Sequence, residues 1–157
     1  MRTYNLDGIP QVKEDKVPSI PYMGSKNKIA NKLLNMIYST IGDFGTLYDL
    51  FGGGGAMSIA GFQAGHKVVY NEKNTGVANL MKYIVEGREL PTKWVSREEF
   101  EKHKNGDDWY SGFIKCCYSF GNNQKDYLFG KDIEEYKKKY HLMVVNEEDH
   151  TEWVSEF

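Results

Sequence analysis

Proline is scarce in this chain and never doubled. Its four copies stand at Pro10, Pro18, Pro21 and Pro91 of 157 residues, which excludes any motif built on a Pro-Pro step. Cysteine is scarcer. Cys116 and Cys117 are the only two, and sequence neighbours supply neither a disulfide framework nor zinc-ligand spacing. They read as reduced core residues of a cytoplasmic protein. No apolar run is long enough to span a bilayer, and the N-terminus does not resemble a secretory signal, so no membrane partner is expected. An excess of positive charge is missing too: 20 Lys and Arg face 22 Asp and Glu, a net of −2. A protein that grips duplex DNA unaided shows more, so any hold this chain has on DNA is expected to be weak. The four histidines, His66, His103, His141 and His150, are scattered without metal spacing, and Ser119 lacks a nucleophile elbow. Neither a metal site nor a catalytic residue is expected.

What remains is an ordinary soluble balance, 40% apolar and 27% charged, with enough length for one domain and a core. The aromatic share is high at 14%. Tyrosine clusters of this kind suit a core, or a surface that stacks on bases.

Residues 1–19 are polar and read as an irregular arm. In "YMGSKNKIANKLLNMIYSTI", Ile29, Leu33, Met36 and Ile37 recur at helical spacing, with Ser25 as N-cap and an end near Gly42. "TLYDLF" (46–51) reads as a buried strand, "AMSIAGFQAG" as a helix stopped by Gly65, and "HKVVYNE" (66–72) as a second strand. "TGVANLMKYIVEG" follows as a helix, with Val77, Leu80, Met81 and Ile84 on one side. Strand, glycine turn, helix, strand, helix implies a parallel α/β sheet with a right-handed crossover. Residues 20–90 form this part, and 91–157 form a mainly helical segment. There "SREEFEKHK" opens with a Ser96/Glu99 capping box, "GNNQKDYLFG" is a polar loop, and the acidic end "NEEDHTEWVSEF" reads as loose.

Four consecutive glycines, Gly52 to Gly55, sit between the first strand and its helix. Glycine there lets a ligand lie against bare backbone at a helix N-terminus. Glu72 ends the next strand, so both strand ends open on one edge of the sheet. A carboxylate at that point can accept hydrogen bonds from two ribose hydroxyls. The pair reads as a nucleoside-type site. It is not a P-loop, because no Gly-Lys-Ser/Thr follows, and Met57 and Ser58 stand where a dinucleotide fingerprint needs its third glycine.

Three stretches resemble the Dam-type (D12 class) adenine-N6 DNA methyltransferases, whose fold is Rossmann-like and whose cofactor is S-adenosylmethionine. "YMGSK" resembles the aromatic-x-Gly-x-Lys motif, which implies Tyr22, Gly24 and Lys26 in the cofactor site. "DLFGGGGA" resembles the acidic-x-Phe-x-Gly-x-Gly motif, matching Asp49, Phe51, Gly53 and Gly55. "YNEKN" resembles the Asp-x-Asn segment, placing Glu72 on the ribose and Asn74 beside it. Elementary chemistry agrees with these roles. Tyr22 offers a flat face, Lys26 a cation and Asp49 an acceptor for the cofactor's ammonium, while Phe51 is expected to pack under the loop. Each also has a plainer use: a core tyrosine, a solvated lysine, a cap. A looser match, "YSFGNNQKDYLFG", resembles the approach to the target-recognition part, which would put Asn122, Asn123, Lys125 and Tyr127 near DNA; a structural loop explains it better.

The family's Asp-Pro-Pro-Tyr segment, which holds the adenine amine and stacks on the flipped base, has no counterpart in these residues. The resemblance therefore implies an incomplete Rossmann-like fold: the cofactor-binding part of a methyltransferase, truncated or split. A second polypeptide would supply the catalytic half, or the exposed sheet edge would pair with another copy. The alternative is a non-catalytic relative that works by binding a nucleoside cofactor or a protein, as a phage inhibitor of a host system would.

Overall fold

The computed structural model describes residues 2–145; the acidic stretch 146–157 lies outside the described residues. The N-terminal segment proves to be ordered where an irregular arm was expected. The Asn5 side-chain oxygen accepts the N–H groups of Asp7 and Ile9 at 3.0 and 2.8 Å, closing a turn. That turn pairs β1 (Arg2–Tyr4) antiparallel with β2 (Pro10–Val12). Strands of three residues leave no alternation to read in a sequence. Asn35 then acts as a substitute strand, accepting the Val12 N–H at 2.8 Å and donating to the Val12 carbonyl at 2.9 Å.

α1 (Ala30–Ile41) carries Asn35 and starts five residues after the expected cap. Ser25 caps nothing. Its hydroxyl meets that of Ser19 at 3.1 Å, and residues 22–29 form successive turns closed by Ser25 N–H to Tyr22 O (3.1 Å) and Ile29 N–H to Lys26 O (2.9 Å). The buried stripe is Ala30, Leu34 and Tyr38, one residue out of phase with the one expected; Ile29 and Met36 are exposed. Both stripes have helical spacing, and only packing decides between them.

β3 (Thr46–Asp49) and β4 (Lys67–Tyr70) pair in parallel, Thr46 opposite Lys67 through Asp49 opposite Tyr70. α2 (Ala56–Gln63) joins them and covers the Leu47–Val68 face. It lies so close that a side chain on Gly61 would meet Leu47 at 2.6 Å. The opposite face is bare, with Tyr48 and Val69 side by side at 64% and 38% exposure. Among the described residues β3 pairs only with β4, so its other edge is open.

α3 (Thr75–Val85) begins at Asn74, whose side chain accepts the Val77 N–H at 3.4 Å. α4 (Arg97–His103) begins at Ser96, which accepts the Glu99 N–H at 3.2 Å. Half of the expected capping box forms: the Glu99 carboxylate goes instead to Lys93 at 2.7 Å and to the Tyr110 hydroxyl. α5 (Trp109–Cys117) begins at Asp108, which accepts the Ser111 N–H at 2.8 Å. That backbone bond, ahead of other causes, holds the Asp108 carboxyl below its ordinary range. α5 crosses α3 at two glycines, and a side chain on Gly112 would run into the Gly76 carbonyl. After a single 3-10 turn (Phe120–Asn122) and a loop, α6 (Glu134–Val145) contributes no fully buried residue.

Two clusters make the core. One joins Val77, Leu80 and Met81 of α3 to Phe113, Ile114 and Cys116 of α5, with Val95, Phe100 and Tyr127. The other joins Leu34 and Tyr38 of α1 to the alanine face of α2, Ala56, Ala60 and Ala64. No described helix is long and apolar enough to cross a membrane. Burial raises the Cys116 and Cys117 thiols to about 12 and about 11.

Gly112→Ala is expected to lower stability by about 1–3 kcal/mol, because backbone rather than a side-chain tip must give way; urea unfolding reads this. Neither cysteine is expected to react with a disulfide reagent at neutral pH until the chain unfolds, since little thiolate forms. Rapid labelling of the native protein would refute the burial.

Candidate functional site

Two loops face each other across a cavity of about 350 Å³. The turns at 22–26 form one wall and the strand end and glycine turn at 49–57 form the other. Tyr22, Gly24, Lys26, Asp49, Phe51 and Gly53 all line it. Gly55, Glu72 and Asn74 do not. The volume falls within the usual range for small-ligand pockets, roughly 300–1,000 Å³.

The glycines serve the protein first. A side chain on Gly52 would strike the Tyr70 ring, one on Gly54 the Ile20 carbonyl, and one on Gly55 the Met81 methyl. A Cβ on Gly53 would stand 3.2 Å from the Tyr22 ring. Gly55, at φ +80°, is also the left-handed N-cap of α2. Bare backbone is therefore required here by the chain's own packing, where the sequence suggested approach by a ligand. Gly52, Gly53 and Gly54 still present backbone to the cavity.

Phe51 does not pack beneath the loop. It is 92% exposed and stands at the cavity mouth. Main-chain bonds on both sides fix the turn's course, from Gly52 N–H to Asn71 O and from Gly55 N–H to Gly52 O, each 2.8 Å. That course points the residue before the glycines outward.

Asp49 reaches back to start α2. Its Oδ2 accepts from the Ser58 N–H at 3.1 Å and from the Ser58 hydroxyl at 2.7 Å. Lys26 pairs with no carboxylate among the described residues and is exposed at the cavity rim. The two groups put one cation and one anion in the lining of the same cavity.

Glu72 is the clasp behind the site. Oε2 accepts the Gly53 N–H and Oε1 accepts the Asn74 N–H, both at 2.8 Å. Beside it Tyr70 donates to the Gly53 carbonyl at 2.7 Å. Burial, then the Glu72 charge, pushes the Tyr70 phenol up, so it remains a neutral donor. The same two causes raise Tyr22. Sequence reading missed Tyr70; its place at the last strand position, two residues before Glu72, was the available signal.

Asn74 joins this clasp to the helical part. Its oxygen caps α3, and its Nδ2 donates to the Gln124 oxygen at 3.0 Å. Asn122 and Gln124 are both left-handed, at φ 57° and 62°. Asn123 closes the turn by accepting from Lys125 N–H (2.9 Å) and Asp126 N–H (3.0 Å). Lys125 is exposed and Asn122 and Asn123 are half-buried. Tyr127 is placed apart from its neighbours: it is 6% exposed, and its hydroxyl donates to the Val95 carbonyl at 2.7 Å. It anchors the loop from within the core and offers no face to DNA. No group of three or more His, Cys, Asp or Glu among the described residues could hold a metal ion.

A family model for the D12 class N6 adenine-specific DNA methyltransferases matches residues 22–149. No curated protein and no solved structure matches the chain. The match begins at Tyr22 on one cavity wall and takes in the glycine turn, Glu72 and the loop that follows α5, which is far more than half of the sequence: this chain belongs to the D12 class N6 adenine-specific DNA methyltransferase family.

Proposed function

We propose that residues 22–74 are the S-adenosylmethionine-binding portion of a site-specific adenine-N6 DNA methyltransferase. The observation that carries this reading is the cavity lined by both motifs, with Lys26 and Asp49 among its lining residues. The cofactor's amino-acid tail is a zwitterion. Asp49 keeps Oδ1 without a hydrogen bond among the described residues, so it has an acceptor for the ammonium. Lys26 supplies the cation for the carboxylate. Tyr22 and the exposed Phe51 add flat apolar surface, which suits a purine ring or a sulfonium.

Glu72 has a double role in this reading. It holds the glycine turn against the start of α3, and each oxygen accepts one bond where a carboxylate oxygen can take about two. Glu72 stands behind the lining of the cavity, next to Gly53, and its spare lone pairs are the candidate acceptors for ribose hydroxyls of a nucleoside that reaches past the glycine turn. When bound, the cofactor supplies an electrophilic methyl group. The chain's own residues bind and orient it. Asn122, Asn123 and Lys125 are the proposed DNA-facing residues, and one lysine among them suits a weak hold.

No Asp-Pro-Pro-Tyr occurs among residues 1–157, so in this reading a second polypeptide presents the adenine amine. The open edge of β3 and the bare Tyr48–Val69 face are where further strands and a covering layer would add. That surface also favours a second reading, a non-catalytic relative that binds a partner polypeptide or a second copy there.

Calorimetric titration with S-adenosylmethionine is expected to show one site, and Glu72→Ala to weaken it by about 1–3 kcal/mol. Unchanged affinity in that variant would remove Glu72 from the site, and no binding at all would leave the second reading. The 157 residues alone are expected to transfer no methyl group to adenine-containing DNA. Transfer by them would reveal an amine-presenting group of another kind.

A further inference from the structure

A second, open cavity of about 430 Å³ is lined by Lys73, Asn74 and Thr75 at the start of α3 and by residues of the α4–α5 connection, α5 and the loop that follows it. Every residue lining it is polar, and four are lysines: Lys73, Lys104, Lys115 and Lys125. Asp107 is the one acidic residue among them. Such a concentration of positive charge is unusual in a chain whose net charge is −2.

Lys115 is the telling member. It lies inside α5 and is only 6% exposed. Burying an ammonium is costly unless an anion compensates it. Among the described residues no carboxylate does. Its Nζ donates to two neutral oxygens, Gly106 O at 3.0 Å and Asn74 Oδ1 at 3.3 Å. The Gly76–Gly112 crossing brings it there, within 3.1 Å of where a Cβ on Gly76 would stand. The ammonium therefore faces the first turn of α3, an eleven-residue helix whose Asn74 and Thr75 also line the cavity. A helix N-terminus carries unpaired N–H groups and partial positive charge. Asn74 Oδ1 lies between them and accepts from both the Lys115 ammonium and the Val77 N–H, but it is neutral. The positive charge, and the third ammonium hydrogen, are left for an anion in the cavity.

Lys104 is partly neutralised by Glu101 at 2.7 Å and donates to the Lys125 carbonyl at 2.9 Å, so it holds the loop. Lys73 and Lys125 are exposed and pair with no carboxylate among the described residues. They stand free at the rim.

We propose that this cavity binds a phosphate group, held by Lys115 and the start of α3 from within and by Lys73 and Lys125 at the rim. Several cations and a helix end, without an aromatic or apolar wall, recognise charge and oxygen geometry rather than a base or ring. The phosphate could belong to a nucleic-acid backbone or be free in solution, and the chemistry of recognition is shared. The inference is independent of the cofactor reading, since none of these residues lines the first cavity; its nucleic-acid source alone rests on the DNA-facing reading above, with which it shares Asn123 and Lys125.

The test uses the whole chain. Thermal unfolding is followed in sodium phosphate and in sodium chloride at matched ionic strength. Phosphate is expected to raise the midpoint with concentration, as binding to the native state requires. The Lys73→Ala/Lys125→Ala double variant alters exposed side chains only and should still fold. It is expected to weaken phosphate about tenfold or more. Lys115→Met should abolish the effect; if it fails to fold, the double variant still decides. Duplex DNA is then added as competitor. Displacement of DNA by phosphate, with a salt slope lower by about two in the double variant, would assign the phosphate to a nucleic-acid backbone. Phosphate binding without such competition would assign it to a free anion. No phosphate-specific rise, or an equal rise in the double variant, overturns the proposal.

Discussion

One carboxylate sets the geometry of everything around it. Glu72 takes the Gly53 N–H on one oxygen and the Asn74 N–H on the other. The first bond pins the turn after β3, and the second pins the start of α3. Charge-assisted bonds of this kind are roughly twice as strong as neutral ones. Both lie at the mouth of a sheet only two strands wide, where few other forces act. Without Glu72 the glycine turn would keep Tyr70, the Ile20 backbone and Met81 as neighbours but lose its hydrogen-bonded link to the start of α3.

The glycines show how one residue pattern answers two demands. Tyr70, the Ile20 carbonyl and Met81 each occupy the space a side chain would need. Close packing against the strand end and exposure of backbone to a cavity are then two faces of one turn. Substitution there disturbs the fold before it disturbs any ligand, so loss of binding in a glycine variant says little by itself about contact.

Much of this was legible in the sequence, for identifiable reasons. β3, α2 and β4 announce themselves because a glycine run separates a Leu-Tyr strand from an alanine-rich helix, and two strands of four residues carry a β pattern. Ser96 and Val77–Met81 were legible because capping and helical spacing are local. The hairpin at 2–12 was not, since its closure depends on Asn5 and its docking on Asn35, far along the chain. The stripe of α1 was misread because Ile29 and Met36 are as apolar as Leu34, and only the alanine face of α2 selects among them. Tyr127 and Lys115 exchange the roles their chemistry suggests: the aromatic hydroxyl is buried on a carbonyl, and the cation is buried beside a helix end. Nothing in "IKCCYSF" signals that. It follows from two glycines letting α5 approach α3.

The bond from Asn74 to Gln124 has a consequence of its own. A single side chain caps α3, neighbours the Glu72 clasp and grips a loop that contains two left-handed residues. Left-handed backbone outside glycine costs roughly 1–2 kcal/mol per residue, so the loop has an incentive to rearrange once its anchor lets go. Asn74 itself lines the lysine-rich cavity, and its near neighbour Glu72 holds the glycine turn that walls the first, so the single segment 72–74 gives shape to both.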